Sequence, residues 1–216
     1  MFPREVGGAQ HGTPRGEQNQ FGGVRGQPRR MEPIMKDALA IHRALLEWET
    51  VHEIVRLPIG LSHADELPKA LGLPADRCLV TRVYDCDDMR PGHRFLTGVI
   101  VPAGARPDPA AIRRAVGARS LFPARPDVIN SATEYAADLV CPLLLPDTMP
   151  LLIDHRLVEG LQADEVVYTP TGEASTALGI RGQSLYSLCQ AKPVDLGSFT
   201  TDPAVRTDSP ALHRAR

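Results

Sequence analysis

The stretch that decides the fold lies in the second half of the chain. It reads LLIDHRL at residues 151–157, DEVVYTPTG at 164–172, STALGI at 175–180 and QSLYSL at 183–188. The first three segments are rich in apolar and β-branched residues, which favours strands, and the second runs into a turn that contains one glycine. The pattern predicts a strand, a short helix, a hairpin of two strands and a closing helix.

The sequence upstream continues the alternation of strands and helices. A capping aspartate followed by a proline predicts the clearest helix, which starts at Asp108 and Pro109 and is closed by Gly117. Together the elements predict one α/β domain. The other predicted strands span residues 51–57, 78–84 and 94–101, and the other predicted helices span residues 34–48 and 126–137.

The two ends of the chain differ in composition from its middle. Residues 1–31 are dominated by Gly, Gln, Arg and Pro with isolated apolar residues, which predicts a disordered leader. Beyond residue 191 the sequence is rich in Asp, Ser, Thr and Pro, which predicts a mobile tail over residues 192–216. The predicted domain therefore spans residues 32–191.

Composition restricts the classes of function. The formal net charge is -2, so a contact with nucleic acid has to use a local basic surface rather than an overall positive field. The four cysteines lie far apart with no C-x-x-C pair, which argues against a structural zinc ion or a disulfide framework. Without a long apolar run or a signal peptide at residues 1–16, we expect a cytoplasmic protein that does not span a membrane.

Residues 63–188 resemble the YbaK family of free-standing aminoacyl-tRNA editing deacylases, which includes the editing domain inserted in bacterial prolyl-tRNA synthetase. The resemblance rests on the four segments quoted above and on the order of the elements before them. It implies an α+β fold in which a mixed, largely antiparallel or barrel-like sheet is flanked by helices. It also implies hydrolysis of mischarged tRNA without a metal ion or another cofactor.

Two departures from the family pattern concern the chemistry. Members have a required lysine in a Lys-Thr-Leu-Val-like strand, and this chain has RCLV at 77–80, with arginine in place of the lysine. Members have a Gly-x-x-x-Pro loop, and this chain has DLVCP at 138–142, with aspartate in place of the glycine. The resemblance implies that Arg77 is the catalytic residue that orients the substrate, since it keeps the positive charge. It also implies that Asp138 and Pro142 shape the pocket, where the Asp138 carboxylate either binds the substrate ammonium group or seals the cavity.

Four further residues are candidates for substrate binding. The turn after the second quoted strand holds Thr171, Gly172 and Ser175, and the resemblance implies that its backbone amides line the substrate cleft. Without the resemblance this is an ordinary hairpin turn, since it lacks the Gly-Lys-Ser/Thr of a phosphate-binding loop. Asp154 ends a predicted strand, and the sequence leaves open whether it caps the following helix or takes part in binding.

Two functions from different classes fit the sequence. The first is a trans-acting aminoacyl-tRNA deacylase that removes a small wrong amino acid from the acceptor end of a tRNA, and the fold-wide resemblance supports it. The second is a non-catalytic module that binds an aminoacyl-adenosine-like ligand or a protein partner, and the departures at Arg77 and Asp138 support it. The sequence contains no cluster of metal-ligand residues that would support a third function, that of a metal-dependent hydrolase. DNA is not an expected partner, while a synthetase partner and the oligomeric state stay open.

Overall fold

The structure, a computed structural model, describes residues 35–201 of the chain. Its helices are α1 (Ala38–Glu47), α2 (Leu67–Leu71), α3 (Pro109–Val116), α4 (Pro126–Thr133), α5 (His155–Gly160) and α6 (Gly182–Cys189). Its strands are β1 (His52–Arg56), β2 (Leu79–Asp87), β3 (Arg94–Pro102), β4 (Ala105–Arg106), β5 (Ser120–Pro123), β6 (Leu151–Asp154), β7 (Val166–Pro170), β8 (Thr176–Arg181), β9 (Lys192–Val194) and β10 (Thr200–Thr201). Three short 3-10 turns span Ala64–Glu66, Ala75–Arg77 and Ala137–Leu139.

The strands form two main sheets. The larger sheet has the order β5-β2-β3-β6-β9, and it is mixed, because β2 is antiparallel to β3 and β5 whereas β6 is parallel to β3 and β9. The smaller sheet, β1-β8-β7, is antiparallel, and a bridge between Cys78 and Tyr168 links the two. The predicted mixed, largely antiparallel sheet flanked by helices is confirmed. The larger sheet stays open, so the barrel-like alternative does not occur.

The larger sheet separates two apolar cores. Alternate residues of its strands point to opposite faces, so the fully buried Val99 and Ile100 of β3 belong to different cores. The parallel neighbour β6 follows the same alternation, with Leu152 on one face and Ile153 on the other. This burial on both faces explains why the central strands read as continuous apolar runs in the sequence.

Helix α3 forms as its sequence predicts. The Asp108 side chain accepts a hydrogen bond from Ala110 N at 2.9 Å, and Pro109 occupies the first turn. Gly117 ends the helix with φ at +68°, a left-handed conformation that glycine adopts without steric cost. The helix buries Ile112 completely in one of the two cores.

Asp154 joins the end of β6 to the start of α5, and its side chain is fully buried. Its carboxylate accepts hydrogen bonds from Arg156 N at 2.9 Å, from Arg156 Nε at 2.8 Å and from Leu196 N at 3.1 Å. Burial alone would raise the pKa of Asp154, but the hydrogen bonds from Arg156 and Leu196 outweigh it and hold the pKa below its ordinary value. Asp154 therefore has the capping role that the sequence left open.

The end of the domain lies further along the chain than the sequence predicts. Instead of starting a tail, residues 192–194 form β9 in parallel with β6, Leu196 is fully buried, and Thr200–Thr201 pairs with β4. The predicted boundary at residue 191 is therefore too early. β9 is an edge strand of three residues that contains a proline, and it is too short to show the alternation of apolar and polar residues that predicts a strand. The predicted leader, residues 1–31, and residues 202–216 lie outside the described part.

Among the described residues, no helix has both the length and the apolar composition that crossing a membrane requires.

We expect Asp154→Ala to lower the free energy of unfolding by about 2–4 kcal/mol, because it removes a helix cap and leaves the buried Leu196 N–H unpaired. Urea denaturation measures the change. The control is Asp127→Ala, which removes the exposed partner of Arg125 and should cost under about 1 kcal/mol. A lowered pKa means that Asp154 contributes stability above its ordinary pKa and loses it as pH falls through the lowered pKa. The Asp154→Ala protein and the wild type should therefore approach equal stability below about pH 4. Equal stability at pH 7 would contradict the proposed role.

Candidate functional site

A pocket of about 300 Å³ lies at the edge of β2, between the 3-10 turns Ala64–Glu66 and Ala137–Leu139. Its size suits a small polar ligand rather than a large apolar one. Residues from five parts of the chain meet there: His63, Ala64, Asp65, Val80, Thr81, Arg82, Val83, Tyr84, Arg106, Pro123, Ala137 and Asp138.

The pocket exists because β2 has an incomplete partner on one side. Residue Cys78 bridges to Tyr168 of β7, and β5 pairs only from Tyr84 to Asp87. Residues 79–83 therefore form a free edge between two strands. Because Val83 O faces β5, where it accepts a hydrogen bond from Ala124 N at 3.1 Å, the backbone N–H and C=O of Thr81 face the same side. They point into the pocket.

The side chain of Thr81 adds an unsatisfied polar group to this pocket. Thr81 is only 8% exposed, and its Oγ1 has no hydrogen-bond partner among the described residues. A buried hydroxyl without a partner costs about 1–3 kcal/mol, so such groups are rare in folded proteins. A bound ligand or water molecule would satisfy it.

Asp65 holds the cationic wall of the pocket. Its carboxylate accepts hydrogen bonds from Arg82 Nη2 at 2.8 and 3.0 Å, from Arg106 Nη1 at 3.1 Å and from Gly104 N at 2.7 Å. Arg82 Nε also donates to Ala105 O at 2.9 Å. Burial acts to raise the pKa of Asp65, but Gly104 N, Arg82 and Arg106 outweigh it, so the pKa lies below its ordinary value. Two guanidinium groups are thus fixed beside the free edge of β2.

Asp138 lines the pocket, and the substrate-binding role predicted for it stays a prediction. It belongs to the 3-10 turn opposite Asp65, and its side chain is 59% exposed. Its Oδ1 lies 3.3 Å from Nδ1 of His63, which also lines the pocket. This exposed pair contributes little to stability, so the carboxylate is available to exchange partners with a ligand.

Arg77 lies outside this pocket, in the 3-10 turn that precedes β2. Its Nε and Nη2 donate to Val166 O, the Nε at 2.8 Å, and Nε lies 3.3 Å from Glu165 Oε1. These contacts attach the start of β2 to the start of β7. The catalytic role of Arg77 remains a prediction, and the structure gives its guanidinium group a structural task.

The turn between β7 and β8 is also outside the pocket. Thr171 is fully buried, and its Oγ1 lies 2.6 Å from Thr176 Oγ1. Gly172 has φ at +92°, and a Cβ there would overlap the Lys36 carbonyl oxygen. The Ser175 carbonyl accepts a hydrogen bond from Leu57 N at 2.8 Å. The binding roles predicted for Thr171, Gly172 and Ser175 remain untested, and each residue has a packing or hydrogen-bonding role.

Pro142 and Asp154 also lie away from Asp138's pocket. Pro142 is buried beside a different cavity of about 620 Å³. Asp154 forms a group with His155 and Asp195 whose possible ligand atoms lie within 4.8 Å of one another. Both oxygens of Asp154 already accept hydrogen bonds from Arg156, so a guanidinium group occupies the position that a metal ion would need.

The sequence analysis missed Asp65, Thr81, Arg82 and Arg106. One signal was present, because Arg82 is the charged residue in the otherwise apolar and β-branched run CLVTRVY at 78–84. A charged side chain in a buried strand requires a partner, and a charge pair of this kind beside a cleft is a candidate for a functional site. No local pattern links Arg82 to its partner in the turn before α2.

Comparisons with known proteins agree with this fold. The model of the aminoacyl-tRNA editing domain family matches residues 60–188, which is more than half of the chain and includes the whole pocket. No curated protein matches the sequence.

Solved structures show the same fold at low identity. The crystal structure of the hypothetical protein APE2540 has a TM-score of 0.60 and 16% identity, over 73% of this chain and 99% of that one. The structure of a candidate trans-editing enzyme for prolyl-tRNA synthetase has a TM-score of 0.55 and 22% identity, over 68% of this chain and 87% of that one. At these identities the likeness is one of fold alone.

We expect Gly172→Ala to lower the free energy of unfolding by at least about 2 kcal/mol, because the new Cβ meets the Lys36 backbone in a left-handed conformation. Thermal or urea denaturation measures this. The control is Gly160→Ala at the end of α5, where a Cβ has no neighbour within 4 Å and the change should be neutral or stabilising. A fully stable Gly172→Ala protein that no longer binds ligand would instead support the binding role.

Proposed function

The chain belongs to the aminoacyl-tRNA editing domain family, and we propose that it is a trans-acting deacylase that cleaves the ester between a small amino acid and a tRNA. We place the reaction in the pocket at the free edge of β2. The observation that carries this proposal is the meeting of an unpaired strand edge, a carboxylate and two guanidinium groups in one pocket within the matched region.

Ester hydrolysis needs a positioned water molecule and donors for the negative charge that develops on the carbonyl oxygen. The water oxygen bonds to the ester carbon, the bond from that carbon to the ribose oxygen breaks, and a proton passes to the ribose oxygen. In the proposed mechanism, the Thr81 backbone N–H donates to the developing oxyanion. The unpartnered Thr81 hydroxyl holds the water or the ribose.

The amino-acid part of the substrate would lie beside Asp138. Its carboxylate is exposed, and it can replace the weak His63 contact by a charge-assisted hydrogen bond to the substrate α-ammonium group. The cavity of about 300 Å³ leaves room for a small side chain only. These two features support a small amino acid as the group that is removed.

The cation that orients the substrate would be Arg82, held by Asp65. Arg82 lines the pocket, whereas Arg77 lies outside it and bonds to Val166 O and Glu165. A guanidinium suits a ribose or phosphate oxygen because it presents several donors in a fixed plane. The carboxylate of Asp65 fixes this plane before substrate arrives, which lowers the entropy cost of binding.

One observation favours the alternative of a non-catalytic binding module. Asp138 already has a partner in His63, and the pocket residues described here include no unpaired general base that could activate water. In that case the same pocket would bind an aminoacyl-adenosine-like ligand without hydrolysing it.

A direct assay separates the two. Purified protein should release amino acid from at least one member of a panel of misacylated tRNAs, and a short aminoacylated acceptor mimic should react equally with and without EDTA. Binding of a non-hydrolysable aminoacyl-adenosine analogue without turnover of any substrate would favour the module. Loss of turnover in chelator, restored by zinc alone, would contradict the metal-independent mechanism.

We expect Arg82→Ala to lower kcat/KM by about 2–4 kcal/mol of transition-state stabilisation, the size of one positioned donor. Since Arg82 also pairs with Asp65, circular dichroism and melting curves should establish that the variant is folded. Arg77→Ala is the matched variant, and we expect it to reduce stability more than kcat/KM. The reverse result, with Arg77→Ala inactive and Arg82→Ala active, would return the catalytic role to Arg77.

Asp138 sets the substrate range whether its carboxylate binds the substrate ammonium group or fills part of the cavity. Two substitutions distinguish these two roles. If the carboxylate binds the ammonium group, Asp138→Asn should raise KM about tenfold or more, because the charge is lost at constant volume. If it only fills the cavity, Asp138→Asn should behave as wild type while Asp138→Gly should accept larger amino acids. Steady-state kinetics on the substrate panel measures both, and no change in either variant would show that Asp138 points away from the substrate.

A further inference from the structure

A second cationic surface lies at the end of α3. Arg113 and Arg114 in the last turn of the helix and Arg119 after it line a cleft of about 560 Å³, together with Met89. The three arginine side chains are exposed, and Met89 is 68% exposed. We call this surface the arginine cleft.

The three arginines have no ion-pair partner within residues 35–201, although several other arginines there are paired, such as Arg94 with Asp85 and Arg125 with Asp127. Two acidic residues precede Met89 in the sequence, Asp88, whose Oδ1 accepts from Arg90 N, and Asp87, whose backbone oxygen accepts from Arg119 N. The Asp87 carboxylate is occupied by Ser120 Oγ and faces Arg94 Nε at 3.5 Å. The cleft thus concentrates positive charge in a chain whose net charge is -2.

A helix C-terminus favours positive side chains, so the helix dipole alone would account for Arg113 and Arg114. It does not account for Arg119, which lies beyond the helix end at Gly117 and still lines the same cleft. Guanidinium groups that lie close together repel one another, and an anion bound among them removes that repulsion. The arrangement is typical of a surface that binds phosphate groups.

Strand β5 connects the arginine cleft to the pocket. Arg119 directly precedes β5, and Pro123 at the other end of the strand lines the pocket. At about 3.3 Å per residue, the two sites lie about 13 Å apart along the strand. Between them along this edge strand, Phe122 is 55% exposed, and its side chain points to the face of the sheet opposite that of Leu121 and α3. An aromatic side chain of this size is usually covered.

We propose that this surface binds the RNA of the substrate, with backbone phosphates in the arginine cleft and one unpaired base stacked on Phe122, while the 3′ end enters the pocket. Stacking on an exposed aromatic side chain and contacts between arginine and phosphate are how proteins bind single-stranded nucleic acid. The proposal rests on the proposed function for the identity of its ligand.

The test measures binding of uncharged tRNA, so it does not depend on hydrolysis. We expect the triple variant Arg113→Gln, Arg114→Gln and Arg119→Gln to raise Kd at least about tenfold and to lower the dependence of log Kd on log salt by about two to three units. The matched control replaces three exposed arginines of α1, β1 and β8 by glutamine, at positions Arg43, Arg56 and Arg181. It makes the same charge change and should alter Kd less than about twofold.

Phe122 is tested by Phe122→Ala, which should weaken binding about five- to a hundredfold for tRNA with its single-stranded 3′ end. For tRNA trimmed of that end, variant and wild type should bind equally. In a deacylation assay the triple variant should raise KM and leave kcat unchanged.

The roles of the arginine cleft and of Phe122 are contradicted by different results. If the triple variant and the control triple weaken tRNA binding equally, the cleft is not the RNA surface. Equal losses for intact and trimmed tRNA would remove Phe122 from the proposal. If wild-type protein binds tRNA through the cleft and hydrolyses no substrate, the deacylase proposal fails while this one stands.

Discussion

The candidate site depends on the incomplete pairing of β2 with β5. β5 ends at Pro123, and Pro126, whose ring suits the first turn of a helix, starts α4 three residues later. The chain therefore leaves the edge of β2 after Ala124 N bonds to Val83 O. At the other end Cys78 is held against β7. The gap between these two attachments is the pocket.

The elements that the sequence predicts are those with strong local patterns. β2 and β3 are apolar on both faces because each face contacts a core, and α3 carries its own cap and terminator at Asp108 and Gly117. The sequence analysis missed β5 and β9. β5 has four residues and β9 has three, each includes a proline, and strands this short show no periodicity. They form because they pair with strands that are distant in the sequence. Their positions are decided by the sheet and not by propensity.

The site was harder to predict than the fold, for a related reason. A family pattern selected both Asp138, which lines the pocket, and Arg77, which lies outside it, and the roles predicted for both stay predictions. The cationic wall is made by Asp65, Arg82 and Arg106, which come from separate segments of the chain. The sequence spacing of these residues does not predict that they meet, because they come together only when the chain has folded. The isolated charge in the CLVTRVY run was the available clue.

The free edge of β2 also bears on self-association. An unpaired strand edge is a template on which another chain can add a strand, which is a common route to aggregation. Here the open part of the edge covers only residues 79–83, and the charged residues Arg82 and Asp138 line the pocket beside it. A strand from a second molecule would have to bury both charges away from water, which is costly. The edge therefore stays accessible to a small polar molecule while disfavouring growth of the sheet into a polymer.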